Sequence, residues 1–311
     1  MHIRQIQVKN FRALDDIDTE FDSRVNVIIG PNAVGKTTVL EAIRLTKALL
    51  SPRTQNESSQ ALIALSASSP HIPQSLNIEA LARDPLKQAT IRITYQFSEL
   101  EFKWLNENTS SIAKTIVQAQ RGQAFSNPAA LLTYLGSPQG AMEVSQVIDD
   151  LKRVLAAILE NSRRAVVKLS IDAKTGLSAA EGPMIAALIA AIDQSLPPRK
   201  TIFSYFSADR SLPQGEQPIQ LGGADAQQQL ESHNSQPQLK YARLKSTIFN
   251  DILMSDQTIR DEFEKIFSGI LKGRRLKEFG INSVGLVSIR VEDIENSKTF
   301  EIDAMSSGEK G

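Results

Sequence analysis

The chain contains no cysteine in its 311 residues, so disulfides, thiolate-ligated zinc and thiol nucleophiles are all excluded, and a reducing compartment is the natural setting. Histidine is nearly as scarce: His2, His71 and His233 are scattered and fall in no ligand spacing, which gives a histidine-based metal hydrolase no support. Charge of either sign is not in excess. Lys plus Arg and Asp plus Glu both total 35, the formal net charge is zero, and any contact with nucleic acid has to come from a local patch rather than a global field. Aromatic residues make up only 5% and do not interleave with the basic stretches, so stacking of single-stranded bases is not indicated. Long hydrophobic runs are missing as well. The longest, Met184 to Ile192, falls well short of the ~20 residues that cross a bilayer, and the N-terminus carries no signal-peptide pattern. These absences lead to the expectation of a cytoplasmic globular protein without a membrane partner, and 41% hydrophobic content can fill a sizeable core.

What is present is concentrated in Gly30-Pro-Asn-Ala-Val-Gly-Lys-Thr-Thr38, which satisfies G-x-x-x-x-G-K-[ST]. Arg24 to Ile29 (RVNVII) reads as a buried strand before it. Thr37 to Leu50 reads as a helix after it, with Val39, Ile43 and Leu50 recurring on one face. In that setting Gly30 and Gly35 let the loop of Pro31, Asn32, Ala33 and Val34 curl so that its N–H groups point inward. The helix N-terminus adds partial positive charge, Lys36 reaches the β- and γ-phosphates of a nucleotide, and the Thr37 hydroxyl can ligate Mg²⁺.

Elsewhere the pattern alternates between strands and helices. Ile6 and Val8, then Ile17, Thr19 and Phe21, read as two antiparallel strands with Asn10-Phe11-Arg12 in the turn between them. Residues 51–73 read as a loop or short broken helix. Ile91, Ile93, Tyr95 and Phe97 alternate as a half-exposed strand, with Phe102 and Trp104 on a hairpin partner. Residues 110–200 turn towards Ala, Gln and Leu, and Val144, Ile148, Leu151, Leu155 and Ile158 fall at helical spacing. The expected organisation is therefore a first part of an α/β domain over 1–109, a helical insertion lobe over 110–200, and a return to the first domain over 201–311. Val166 to Ile171 and Thr201 to Phe206 read as strands, 213–238 as a mobile loop rich in Gln and Gly, and about 241–271 as helical. Val287, Ile289 and Val291, then Phe300 and Ile302, alternate again. No fixed-period repeat is visible.

Ser306-Ser-Gly-Glu309 comes late in the chain. Alone, S-x-x-E is also an ordinary capping box. Placed late, after a strand and far behind an N-terminal P-loop, it resembles the signature of the SMC/RecF-type ATPases, where an LSGGE-like sequence opens a helix. Ile3 to Arg12 (IRQIQVKNFR) resembles the I-x-x-F-[RK] opening of that superfamily, and GPNAVGKTTVLEAI resembles its P-loop, with Ala33 where Gly is commoner and Glu41 in the "LEAI" position. The modest insertion without long heptads looks less like SMC proteins than like the bacterial anti-phage ATPases of the OLD, Gabija, Septu and retron-associated groups.

The resemblance implies a P-loop NTPase of ABC-ATPase-head type: a mixed central sheet, N-terminal antiparallel strands, and a helical lobe. It implies two heads closing on ATP and Mg²⁺, with Gly30 to Thr38 of one copy holding the phosphates and Ser306, Ser307, Gly308 and Glu309 of the other completing the site. Arg12 matches an Arg that approaches the nucleotide in such heads, although an exposed turn Arg is the plainer reading. Gln214, in Pro-Gln-Gly-Glu216, resembles a Q-loop glutamine that ligates Mg²⁺ or the attacking water, in a stretch where Gln is common anyway. No apolar strand ending in Asp-Glu follows the signature. The expectation is a segment of a longer polypeptide, binding ATP better than it hydrolyses it, with any nuclease on a later domain or a partner protein. Local basic residues offered for DNA are Lys272, Arg274, Arg275 and Lys277, with Arg163, Arg164 and Lys168 as a second set; a solvated basic face is the more frequent meaning of such clusters. Two other classes stay open. One is a non-hydrolysing ATP-dependent scaffold for a nuclease, and the other is a P-loop kinase or GTPase, which would leave Ser306 to Glu309 unexplained.

Overall fold

The computed structural model describes residues 1–32, 34–54, 56–69, 76–122, 125, 127–196, 201–206, 257–281 and 287–305. They belong to two compact units, Met1–Pro197 and Pro198–Gly311.

The first unit is built on a five-stranded sheet of order β2-β1-β3-β4-β5, with β1 His2–Phe11, β2 Leu14–Glu20, β3 Ala89–Gln96, β4 Arg164–Asp172 and β5 Gly176–Glu181. Every pairing in it is antiparallel. Period-two alternation divides its faces. Ile6 stands beside Ile93 and Ile93 beside Val167, while Val8 stands beside Ile91 and Ile91 beside Leu169, so two apolar ladders cross three strands and all six side chains are buried. The opposite face carries the ladder Gln7, Arg92 and Lys168. At its β2 edge Asp18 accepts from Gln7 and Gln5, and these two bonds hold its carboxyl below the usual carboxylate range.

Helices cover the apolar face. α1 (Lys36–Leu50) buries Val39, Ala42, Leu45, Thr46 and Ala48, a stripe rotated from the expected Val39, Ile43 and Leu50. After α2 (Glu57–Ala64) and β3 come α3 (Glu99–Glu107), α4 (Thr109–Arg121), α5 (Pro128–Leu135), α6 (Pro138–Glu160) and, beyond β5, α7 (Pro183–Ser195). α4 and α6 pack together through Ile112, Ala113 and Val117 on one side and Val144, Val147, Leu151, Leu155 and Ile158 on the other. Gly140 is required where α5 meets α6, because a Cβ there would lie 2.2 Å from the Tyr134 carbonyl oxygen.

The second unit holds α8 (Gln257–Ile270) and an antiparallel sheet of β6 (Arg274–Ile281), β7 (Val287–Asp293) and β8 (Lys298–Glu301). Its core is Leu276, Ile289, Val291 and Met305, with Phe263, Phe267 and Phe300 packed against it.

Four expectations are corrected. Arg24 to Ile29 forms no strand: Val25, Val27 and Ile29 are 82, 74 and 87% exposed. The apolar run specified a preference for burial without supplying a neighbour among the described residues. Phe102 and Trp104 lie on α3, because Ser98 and Glu101 form a reciprocal capping box that starts a helix there. The strand read over Val166 to Ile171 is present as β4, and with β5 it forms a hairpin that joins the main sheet. Thr201 to Phe206 is not a strand. The central sheet is wholly antiparallel among the described residues rather than mixed. Basic residues disguised β6 as a surface run. The loop over 213–238, the 241–256 part of the later helical stretch, and the segment from Ser306 to Gly311 lie outside the described residues.

One buried charge network ties α1, α2 and α7 together. Lys47 Nζ donates to both carboxylate oxygens of Glu57 at 2.7 and 2.8 Å and stands 3.6 Å from Asp193, while Arg53 stands 3.4 Å from Asp193. The four side chains are 4, 7, 6 and 1% exposed in the order Lys47, Glu57, Arg53 and Asp193. Two cations balance two anions, so no net charge is buried. Lys47→Met removes one cation and leaves the two carboxylates facing Arg53 alone. Urea unfolding should show a loss of about 3–5 kcal/mol, against little effect for an exposed control such as Lys103→Met.

Candidate nucleotide-binding site

The P-loop sequence enters α1 through Gly35, whose φ of +96° lies in the left-handed region. A side chain is excluded there twice over, because an added Cβ would also meet Leu14 Cδ2 at 2.6 Å and Ala13 Cβ at 3.8 Å. The turn between β1 and β2 is thus pressed against the start of α1. No side chain caps that start, and no acidic residue occupies its first turn. Its N–H groups and the positive end of the helix dipole are therefore available to an anion. Thr37 is exposed and Thr38 buried. Lys36 folds back over the loop, with Nζ donating to the Gly30 carbonyl at 2.8 Å and the Pro31 carbonyl at 2.5 Å. Pro31, Asn32 and Val34 are exposed; Ala33 lies outside the described residues.

Arg12 is brought to this region but used on protein atoms. Its Nη1 donates to the Leu65 carbonyl at 3.0 Å, and its Nε lies 3.4 Å from the Glu41 carboxylate on α1. Gln214, Ser306, Ser307, Gly308 and Glu309 lie outside the described residues. The proposed DNA residues sit on β6 and the turn before it. Arg274 pairs with Asp293 at 2.5 Å and stacks over Phe300, and Arg275 and Lys277 pair with Glu292 at 2.5 and 2.8 Å. Two intramolecular carboxylates offset two of these three charges, which leaves less for a phosphate backbone. Of the second set, Arg163 lies 3.9 Å from Glu99 and Arg164 donates to Gln96. Among the described residues no group of three His, Asp or Glu side chains could hold a metal ion, and no helix is long and apolar enough to cross a membrane.

Residue-type reasoning passed over Asn10. Its φ is +53° and its side chain is buried. Its amide donates to the Asp84 and Lys87 carbonyls at 2.9 Å, and its oxygen accepts from Asp84 N at 2.8 Å. An Asn directly before Phe-Arg in a predicted turn was the available signal, since Asn tolerates the left-handed region and bonds nearby backbone.

A model of the family described as AAA ATPase domain matches residues 1–308. The chain belongs to that family. It is also similar to proteins named DNA replication and repair protein RecF: 47% identical over 57 residues to those of Bacillus cytotoxicus and Halalkalibacterium halodurans, and 44% to that of Oceanobacillus iheyensis. Each match covers 18% of this chain and 15% of the relative. The chain is thus an AAA ATPase of SMC/RecF-like kind.

Two outcomes follow from this geometry. Gly35→Ala should lose roughly 1–2 kcal/mol for the left-handed backbone, read in thermal unfolding; because Leu14→Ala alone empties a buried site at about 2–5 kcal/mol, the Leu14 clash is read as the coupling term of the double-mutant cycle between the two. In the second unit, hydrogen bonds from Lys277 and then Arg275 hold the Glu292 carboxyl below the usual carboxylate range. That contribution to stability is present above the unfolded-state value of about 4.3 and is lost as pH falls through the depressed folded-state value. Unfolding midpoints measured from about pH 5 to pH 2 should converge for wild type and Glu292→Gln at the acid end.

Proposed function

We propose that the chain is the ATP-binding head of an SMC/RecF-like ATPase of the ABC-head type, working in the cytoplasm and closing as a pair around ATP and Mg²⁺. The observation that carries this reading is the uncapped, acid-free N-terminus of α1 behind Gly35, with Lys36 beside it. Gly30 to Thr38 would hold the phosphates, and the Thr37 hydroxyl would ligate the Mg²⁺ that neutralises them. Ser306, Ser307, Gly308 and Glu309 of a second copy would close the site. ATP then acts as the joint between heads, and loss of the γ-phosphate removes contacts that distinguish the closed pair from the open one. The name of the RecF relatives supports work on DNA in repair; control of a nuclease, as a partner or a further domain, in anti-phage defence is the narrower form of the same proposal.

Binding of a fluorescent ATP analogue, followed by light scattering with and without ATP and Mg²⁺, tests it. Lys36→Ala should weaken nucleotide binding at least about tenfold, and Ser307→Arg should leave binding intact while abolishing ATP-dependent association. Association that ignores Ser307→Arg would rule out the shared site. Nucleotide binding indifferent to Lys36→Ala would rule out the P-loop reading altogether.

A further inference from the structure

Lys36 is not the only cation that the fold brings to the start of α1. Residues 82–88 form a loop held by Asn10 through the three hydrogen bonds already described; its backbone is tied there once more, by Arg83 N donating to the Asn10 carbonyl at 3.0 Å, and the residue before the loop is tied by Arg12 N donating to the Leu81 carbonyl at 2.9 Å. An isolated bridge between Phe11 and Ala82 lies between these bonds. The loop is therefore fixed to the β1–β2 turn as firmly as a strand would be. Arg83 projects from it: the residue is exposed, and Nη1 donates to the Ala13 carbonyl at 3.1 Å. Ala13 is the residue whose Cβ lies 3.8 Å from the Cβ position of Gly35. A guanidinium thus stands one residue away from the P-loop contact. Among the described residues no carboxylate is paired with it, unlike Arg12, whose partner is Glu41.

A guanidinium that bonds a single carbonyl retains donors in a planar fork suited to a phosphate, and its face can stack on a purine. Lys36 bonds carbonyls on the Gly30–Pro31 side of the loop, and Arg83 bonds a carbonyl of the β1–β2 turn. We infer that Arg83 is a second nucleotide-binding residue, its guanidinium face stacking on the base of the nucleotide whose phosphates Lys36 holds, and that Asn10 is the positioning residue that presents it. This rests on the nucleotide reading of the P-loop.

The test compares ATP with inorganic tripolyphosphate, which keeps the phosphate chain and lacks ribose and base. In the full 311-residue chain, Arg83→Ala should weaken ATP binding about tenfold and tripolyphosphate binding much less. Asn10→Ala, which frees the loop without touching the guanidinium, should reproduce that selective loss. Arg83→Lys should restore only part of it, because an ammonium replaces charge but not the fork or the stacking face. Equal affinities of wild type and Arg83→Ala for ATP overturn the inference while leaving the P-loop reading intact. Equal losses for ATP and tripolyphosphate also overturn it, by placing Arg83 on the terminal phosphates. A wild-type chain that binds no ATP overturns both readings together.

Discussion

The approach of the β1–β2 turn to the backbone of Gly35 is the constraint on which the remaining features of the site depend. Within five residues that turn places Leu14 and Ala13 against the start of α1, Arg12 against Glu41 and the Leu65 and Ala80 carbonyls, and Asn10 against the 82–88 loop. Both Asn10 and Arg12 adopt positive φ, at +53° and +51°. A left-handed residue other than glycine costs on the order of 1–2 kcal/mol, and such strain persists only where surrounding bonds fix it. Here each strained residue has several. The side chain and backbone of Asn10 take part in four hydrogen bonds to the 82–88 loop, and Arg12 reaches three separate elements. The turn is rigid because it is over-determined, and the helix N-terminus it touches inherits that rigidity.

The relation between sequence and structure differs between the two sides of that contact. On the α1 side, Gly-Lys-Thr before a periodic helix was legible, because the glycine requirement, the helix pattern and the chemistry of Lys36 all depend on local sequence. β1, β2, β3, β4 and α6 were legible for the same reason. On the preceding side, Arg24 to Ile29 has the composition of an interior strand, yet a strand requires a second strand, and no local pattern names it. Val25, Val27 and Ile29 consequently stand exposed among the described residues. Phe102 and Trp104 failed differently. Aromatic residues favour strands only weakly, whereas the Ser98–Glu101 capping box fixes two backbone donors at once, so the local hydrogen bonds decided the outcome.

Cations illustrate what residue type alone conceals. From sequence, Arg12, Lys47, Arg53, Arg83, Arg275 and Lys277 are equivalent positive charges. In the fold, Lys47 and Arg53 are structural, desolvated and balanced by Glu57 and Asp193. Arg275 and Lys277 are spent on Glu292, and Arg12 faces Glu41. The basic stretch over 272–277 was conspicuous because its charges are consecutive, but charges on successive strand residues alternate between faces, and β7 supplies carboxylates opposite them. Arg83 is inconspicuous in sequence, a single Arg before Asp-Pro. Its placement depends on Asn10, more than seventy residues away in the chain, a long-range partnership of a kind that composition, period and motif do not carry.

The same reasoning bears on how the site can respond to a ligand. Lys36 closes on the Gly30 and Pro31 carbonyls, bonds an anion would have to compete with, so the P-loop side must rearrange when phosphate arrives. The β1–β2 turn need not, since Asn10, Arg12 and Leu14 are committed to protein partners that a nucleotide does not displace. One flank of the site is adaptable and the other is preorganised, and preorganised groups lose less conformational freedom on binding. The Lys47–Glu57–Asp193 network extends that asymmetry to the far end of α1. It holds the far end of the helix against α2 and α7 through charges that are buried and mutually balanced, and removing any one of them leaves its partner uncompensated.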